Sequence, residues 1–95
     1  MAKLEIIYRG VGELRPRASN PRTHTKKQLE QVAASIRRFG FTNPVLIDEE
    51  AGIIAGHGRV EAAKLIGMTE VPTVRLANMS EADIRAYVIA DNRLA

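Results

Sequence analysis

The chain has 95 residues, enough for one small hydrophobic core, and its 45% apolar and 26% charged content is that of a globular domain rather than a disordered one. It has no cysteine, which excludes disulfides, thiolate metal sites and cysteine nucleophiles. It also lacks the run of about 18 apolar residues that a spanning helix needs, and no apolar signal segment follows Met1, so a cytoplasmic location is expected. The net charge of +3 is unevenly spread. Between residues 9 and 38, Arg9, Arg15, Arg17, Arg22, Lys26, Lys27, Arg37 and Arg38 face only Glu13 and Glu30. That stripe suits polyanions such as nucleic acid or a nucleoside triphosphate, the alternative being a solvated helix face with ordinary loop arginines.

In chain order, residues 3–8 read as a short strand, followed by a polar loop over residues 15–24 punctuated by Pro16 and Pro21. Thr25 can cap a helix over residues 26–39, with Gln28 closing a capping box. Leu29, Val32, Ala33 and Ile36 form its apolar face, and Gly40 stops it. Residues 45–48 and 53–55 are strands of a hairpin that feeds the turn Gly56-His57-Gly58-Arg59. A helix then runs from about Arg59 to Ile66 and ends at Gly67. Residues 71–76 form a further strand, in which Pro72 suggests an edge or strand-start position. Ser80, with Asp83 opposite, caps a last helix over residues 81–90. The predicted class is α+β, a small mixed sheet with helices packed mainly on one face, in a single domain spanning 1–95 that is expected to be part of a longer protein.

The turn at residues 56–59 is the most informative segment. Glycines allow close approach of the backbone to an anion, the first N–H groups of a helix have no internal partner, and the helix dipole is positive there. Arg59 adds a planar fork of donors. The plain alternative is a glycine turn that only reverses the chain. The segment is neither the dinucleotide fingerprint, which lacks its third glycine here, nor a Walker loop, which ends in Lys-Ser/Thr.

Two further polar clusters, Asn20-Pro21-Arg22 and Asp91-Asn92-Arg93, lie at expected loop or helix boundaries. Together with Leu14-Arg15-Pro16, the Ser35-Ile36 helix ending in Gly40, Pro44-Val45, Ile54-Ala55-Gly56-His57-Gly58-Arg59, Ala62-Ala63 and Gly67, they give the chain its resemblance to the N-terminal domain of the ParB/sulfiredoxin superfamily. The resemblance spans nearly the whole chain. Its Gly-His-Gly-Arg turn is closer to ParB-like domains of phage proteins and of DNA methyltransferase fusions than to the Gly-Glu-Arg-Arg of partition proteins.

The resemblance implies a ParB/sulfiredoxin-like fold that binds a nucleoside triphosphate, CTP by preference, with Mg²⁺. It places the phosphates on Gly56, His57, Gly58 and Arg59, with Asn20, Pro21 and Arg22 alongside. Asp91 and Asn92 would serve the metal, an oxygen donor pair that suits Mg²⁺. DNA phosphates are left open as the ligand of the same site, a purely DNA-binding module being a further alternative; DNA is an implied partner, and a homodimer is left open. His57 is open to three roles: phosphate donor, general acid or base, or a brace for the loop. His57 and Asp91 are the candidates for any catalysis, such as weak NTP hydrolysis or nuclease activity. Sulfiredoxin chemistry is excluded because it needs a cysteine. A Mg²⁺-dependent nuclease or a small-molecule kinase is the competing reading, and no helix-turn-helix is recognisable for sequence-specific DNA readout.

Overall fold

Short alternating apolar runs and one alanine-rich helix decide the architecture. The structure, a computed structural model, describes residues 4–17 and 24–94, with side chains as far as Asp91. In order, the elements are strand β1 (Ile7–Gly10), a 3-10 turn (Val11–Glu13), helix α1 (Lys26–Phe39), strands β2 (Val45–Ile47) and β3 (Ile53–Ala55), helix α2 (His57–Leu65), strand β4 (Glu70–Arg75) and helix α3 (Glu81–Leu94). The strands form one mixed sheet in the order β1-β4-β2-β3, with β4 parallel to β2 and the outer pairs antiparallel. Among the described residues no helix is long and apolar enough to cross a membrane.

Helix α2 is the centre of the packing. Val60 and Ala63 meet Val45, Ile47, Ile53 and Val71 of the strands, joined by Leu14. Ala62, one residue round the helix, meets Ala33 and Ile36 of α1. Both alanines are fully buried, so their small side chains set how closely α1, α2 and the sheet can stack. A larger residue at Ala62 would overpack this contact at a cost of about 1–3 kcal/mol. α1 and α2 thus layer on one face, and α3 packs against edge strand β3. The predicted α+β class and one-sided helix layer are what is found.

Both expected capping boxes are present. Thr25 Oγ1 accepts the Gln28 N–H at 3.1 Å and Gln28 Oε1 accepts the Thr25 N–H at 2.9 Å. Ser80 and Asp83 make the equivalent pair at 3.1 and 3.2 Å. Four details differ from the sequence reading. β1 lies at Ile7–Gly10 rather than 3–8, because its partner is Glu70–Thr73 and the ladder continues to Val11 N–H on Thr69 O. α2 starts at His57, two residues early, because the left-handed turn at Gly56 already points the chain into the helix. Pro72 lies in a central strand; β2 joins β4 only from Thr73 onward, so the missing N–H interrupts no pairing with β2. Finally, α3 runs on through Asp91 and Asn92, which therefore lie within a helix rather than past its end.

Candidate functional site

The hairpin β2–β3 delivers the chain to Gly56, whose φ of 106° is a left-handed conformation that glycine adopts without strain. Space is tight as well: a Cβ there would sit 3.1 Å from Arg59 Nη2, which would have to give way slightly, and 3.4 Å from the Val45 Cα. The helix that follows has no side-chain cap and no acidic residue in its first turn. Its first bond from this end is Val60 N–H to Gly56 O, so the N–H groups of His57, Gly58 and Arg59 have no backbone partner among the described residues. Gly58 is buried under the imidazole of His24: a Cβ would lie 2.9 Å from His24 Cε1 and 3.0 Å from Nε2.

This helix end opens into a cleft of about 850 Å³, within the usual range for small-molecule sites. Its floor is Leu46 and Ile54, and its walls are α1 through Gln28, Gln31 and Ser35, and α3 through Tyr87, Val88 and Asp91. Arg59 reaches along it with a single side-chain hydrogen bond among the described residues, Nη2 to the Pro44 carbonyl at 3.3 Å. Its Nε is buried with no partner among the described residues. Burial pulls the guanidinium below its ordinary pKa, opposed by the charge of Asp91 and by Tyr87. A partly buried, under-satisfied arginine beside helix N–H groups without backbone partners has the chemistry that suits an anion.

His57 is half-buried in the same turn. Its Nε2 accepts the backbone N–H of Arg17 in a long contact of 3.5 Å, which ties the 15–17 segment to α2. Burial lowers its pKa; Glu61 acts the other way, while His24 and Arg17 reinforce burial. Arg17 itself is engaged: Nη1 meets Asp48 Oδ2 at 2.6 Å, and Nη2 meets both Glu81 carboxylate oxygens at 2.8 Å. It joins the hairpin turn to the start of α3. The Asp48 carboxylate also accepts the N–H groups of Glu50 and Gly52, each at 2.8 Å.

Of the residues singled out in the sequence, Gly56, His57, Gly58, Arg59 and Asp91 all line the one cleft. Asn20, Pro21 and Arg22 lie outside the described residues, as does the side chain of Asn92. Among the described residues no three His, Asp or Glu side chains converge as a metal cluster. A single carboxylate, Asp91, matches a cation held mainly by phosphate and water, as Mg²⁺ is. Two contributions escaped the sequence reading. His24, which the sequence places only at the end of the polar loop over residues 15–24, covers the helix start. Gln28, Gln31 and Ser35 recur at helical spacing beside the apolar stripe of α1, and that polar periodicity was the available signal.

The sequence profile of the ParB N-terminal domain matches residues 3–92. The chain is 52% identical over 79 residues to the ParB-like nuclease domain-containing protein YnaK of Escherichia coli, covering 83% of this chain and 91% of that protein. It is 35% identical over 86 residues to a probable chromosome 2-partitioning protein ParB of Deinococcus radiodurans, covering 86% of this chain but only 29% of that longer protein. Among solved structures, the C-terminally truncated chromosome-partitioning protein ParB of Caulobacter crescentus complexed with CTP-γ-S superposes with a TM-score of 0.87 at 24% identity, over 96% of this chain and 54% of that one. Sulfiredoxin from Arabidopsis thaliana shares the fold at a TM-score of 0.67 and 15% identity, over 90% of this chain and 97% of that one. The match along almost the whole length, together with the glycine turn and its cleft, makes this chain a member of the ParB N-terminal domain family.

Proposed function

We propose that the chain is a nucleoside-triphosphate-binding regulatory module, with CTP as the favoured nucleotide, working in DNA partition, modification or transcription. The observation that carries this reading is the start of α2, where unmade N–H groups and the under-satisfied Arg59 face one cleft. The fold shared with a ParB bound to CTP-γ-S supports the ligand class.

In this reading the phosphates lie against Gly56, Gly58 and Arg59. The helix N–H groups and the guanidinium orient them, and by the family resemblance Asn20, Pro21 and Arg22 belong to the same phosphate-binding set. Asp91 and Asn92 would hold Mg²⁺, which neutralises phosphate charge when bound. Because Tyr87, Val88 and Asp91 of α3 line the cleft, a ligand there biases the placement of α3 and so of any partner surface it carries. DNA is the expected macromolecular partner.

Calorimetric titration of CTP, ATP and GTP, with and without Mg²⁺, tests the reading. Heat with CTP that weakens in Arg59→Ala is expected, and no heat with any of the three overturns it. Incubation with Mg²⁺ and plasmid, and separately with ATP and serine, tests the competing enzyme reading. Turnover lost in Asp91→Ala or His57→Ala would replace the passive switch with catalysis.

A further inference from the structure

Gly58 stands where the backbone does not call for glycine. It is the second residue of α2, and its φ is not positive, unlike those of Gly40, Gly56 and Gly67. Glycine at such a position weakens a helix relative to alanine. What it provides here is room. The edge of the His24 ring lies against it, so that a Cβ on Gly58 would be 2.9 Å from Cε1, 3.0 Å from Nε2 and 3.3 Å from Nδ1. The missing side chain is what lets an imidazole sit on the first turn.

In a helix each Cα–Cβ bond leans toward the N-terminus. A ring seated at the Cβ position of Gly58 therefore lies toward the open end of α2, with both of its nitrogens on the edge that meets the turn. The N–H groups of His57, Gly58 and Arg59 have no backbone partner among the described residues, and His24 lines the same cleft as Arg59. Imidazole in its charged form offers an N–H donor at either nitrogen.

We propose that His24 is a further phosphate-binding residue of this site, donating to the anion as imidazolium, so that ligand binding takes up a proton. The proposal rests on the nucleotide reading of the cleft. The charged and titratable groups around the turn come from several elements. α2 supplies His57, Arg59 and Glu61, and α3 supplies Asp91 and Tyr87. Arg17 comes from the 15–17 segment and is already paired with Asp48 and Glu81. Lys26 and Lys27 follow His24 at exposed positions of α1. None of these carries the negative charge of a phosphate group, about −1.5 to −2 near neutral pH. Its arrival at the ring edge favours the imidazolium. Imidazole changes charge between about pH 5 and 8, so the site holds its ligand more tightly as the pH falls through neutrality and loses that gain as it rises.

Calorimetric titration with CTP and Mg²⁺ at about pH 6, 7 and 8, each in a pair of buffers of different ionisation enthalpy, counts the protons taken up. The wild type is expected to take up a net proton near neutrality and to bind roughly tenfold more weakly at the highest pH than at the lowest. His24→Gln keeps a neutral donor without the charge. It should lose the uptake and bind roughly tenfold more weakly at the low end, converging with the wild type at the high end. His57→Gln should keep the uptake, which separates the two rings, and protons exchanged by the ligand's own phosphates are common to all three proteins. In the wild-type complex the His24 Cε1–H resonance should hold its imidazolium position to a higher pH than in the free protein, a readout that needs no variant to fold. Uptake that persists in His24→Gln, uptake lost in His57→Gln alone, or a resonance that titrates alike with and without CTP overturns the assignment and leaves the nucleotide reading standing. No heat with CTP at any pH overturns that reading and the assignment together.

Discussion

Arg17 and Arg59 both lie beside the first turn of α2, and the fold treats them in opposite ways. Arg17 holds Asp48 with one arm and Glu81 with the other. Its hydrogen bond to Glu81 raises the guanidinium pKa against the effect of burial, with Asp48 adding to the rise. Among the described residues Arg59 has only the Pro44 carbonyl and keeps a buried Nε without a partner, and it is destabilised as a cation by its burial. A charge that is removed from water and left short of partners costs free energy. In the proposed reading, a group kept in this way next to helix N–H groups without backbone partners is held for an anion. A group already neutralised by carboxylates instead holds elements together. Charge counted along the sequence puts Arg17 in the same basic stripe as the other loop arginines, whereas the structure makes it a strut.

The largest effect should come from Arg59→Ala. Charge-assisted bonds to phosphate contribute about 1.5–3 kcal/mol, so nucleotide affinity should fall roughly ten- to a hundredfold. Thermal stability should hold or rise, because the group removed was incompletely satisfied. Paired calorimetry and melting curves measure both. A variant that melts early while binding normally would reverse the roles assigned to the two arginines.

Arg17→Ala should give the complementary result. Asp48 keeps its bonds from Glu50 and Gly52, so the hairpin turn survives, but the start of α3 loses its tie. A loss of about 1–3 kcal/mol is expected, mostly from the Asp48 half, since Glu81 is largely exposed. Denaturant unfolding measures it, and hydrogen exchange should quicken at the first turn of α3. An affinity loss equal to that of Arg59→Ala would show that the contrast is not one of strut against ligand group.

A smaller effect is expected at the glycine between His57 and Arg59. Alanine at Gly58 is well suited to a helix but would press on the His24 ring. The ring must move off the helix start. Nucleotide affinity should drop several-fold while the melting temperature changes little, and a shift of the His24 ring resonances would report the displacement. Unchanged resonances would show that the clash is absorbed elsewhere.

How far the sequence foretold this site follows from the range of the interactions involved. The boxes at Thr25–Gln28 and Ser80–Asp83 were legible because each is complete within four residues. Gly56 and Arg59 were legible as a glycine turn at a helix start, and the structure puts both in the cleft, although the local pattern alone left a plain chain reversal open. Arg17 was not, since its partners Asp48 and Glu81 lie 31 and 64 residues away and no local pattern joins them. His24 was missed for the same reason: only the packing of α1 on α2 brings its ring over Gly58. The early start of α2 depends on the φ of one glycine, which composition does not encode.

Acid offers the finest test of the strut. Burial by itself would raise the Asp48 carboxyl, but bonds from Gly52, Glu50 and Arg17 outweigh it and hold its pKa below the ordinary carboxylate value. Because the folded value is depressed, the stabilisation is fully present above about pH 4 and is lost as pH falls through the folded value. Buried His57 is also depressed. The unfolded chain therefore takes up that proton first, and stability should begin to fall below about pH 6.5. His57→Gln, which retains an acceptor, should remove the upper slope and leave the lower one. Arg17→Ala should move the lower one up in pH, because Asp48 loses its cationic partner. Arg59→Ala should leave the Asp48 slope where it is, and a shift there would mean that the two arginines share one electrostatic network rather than dividing the work between them.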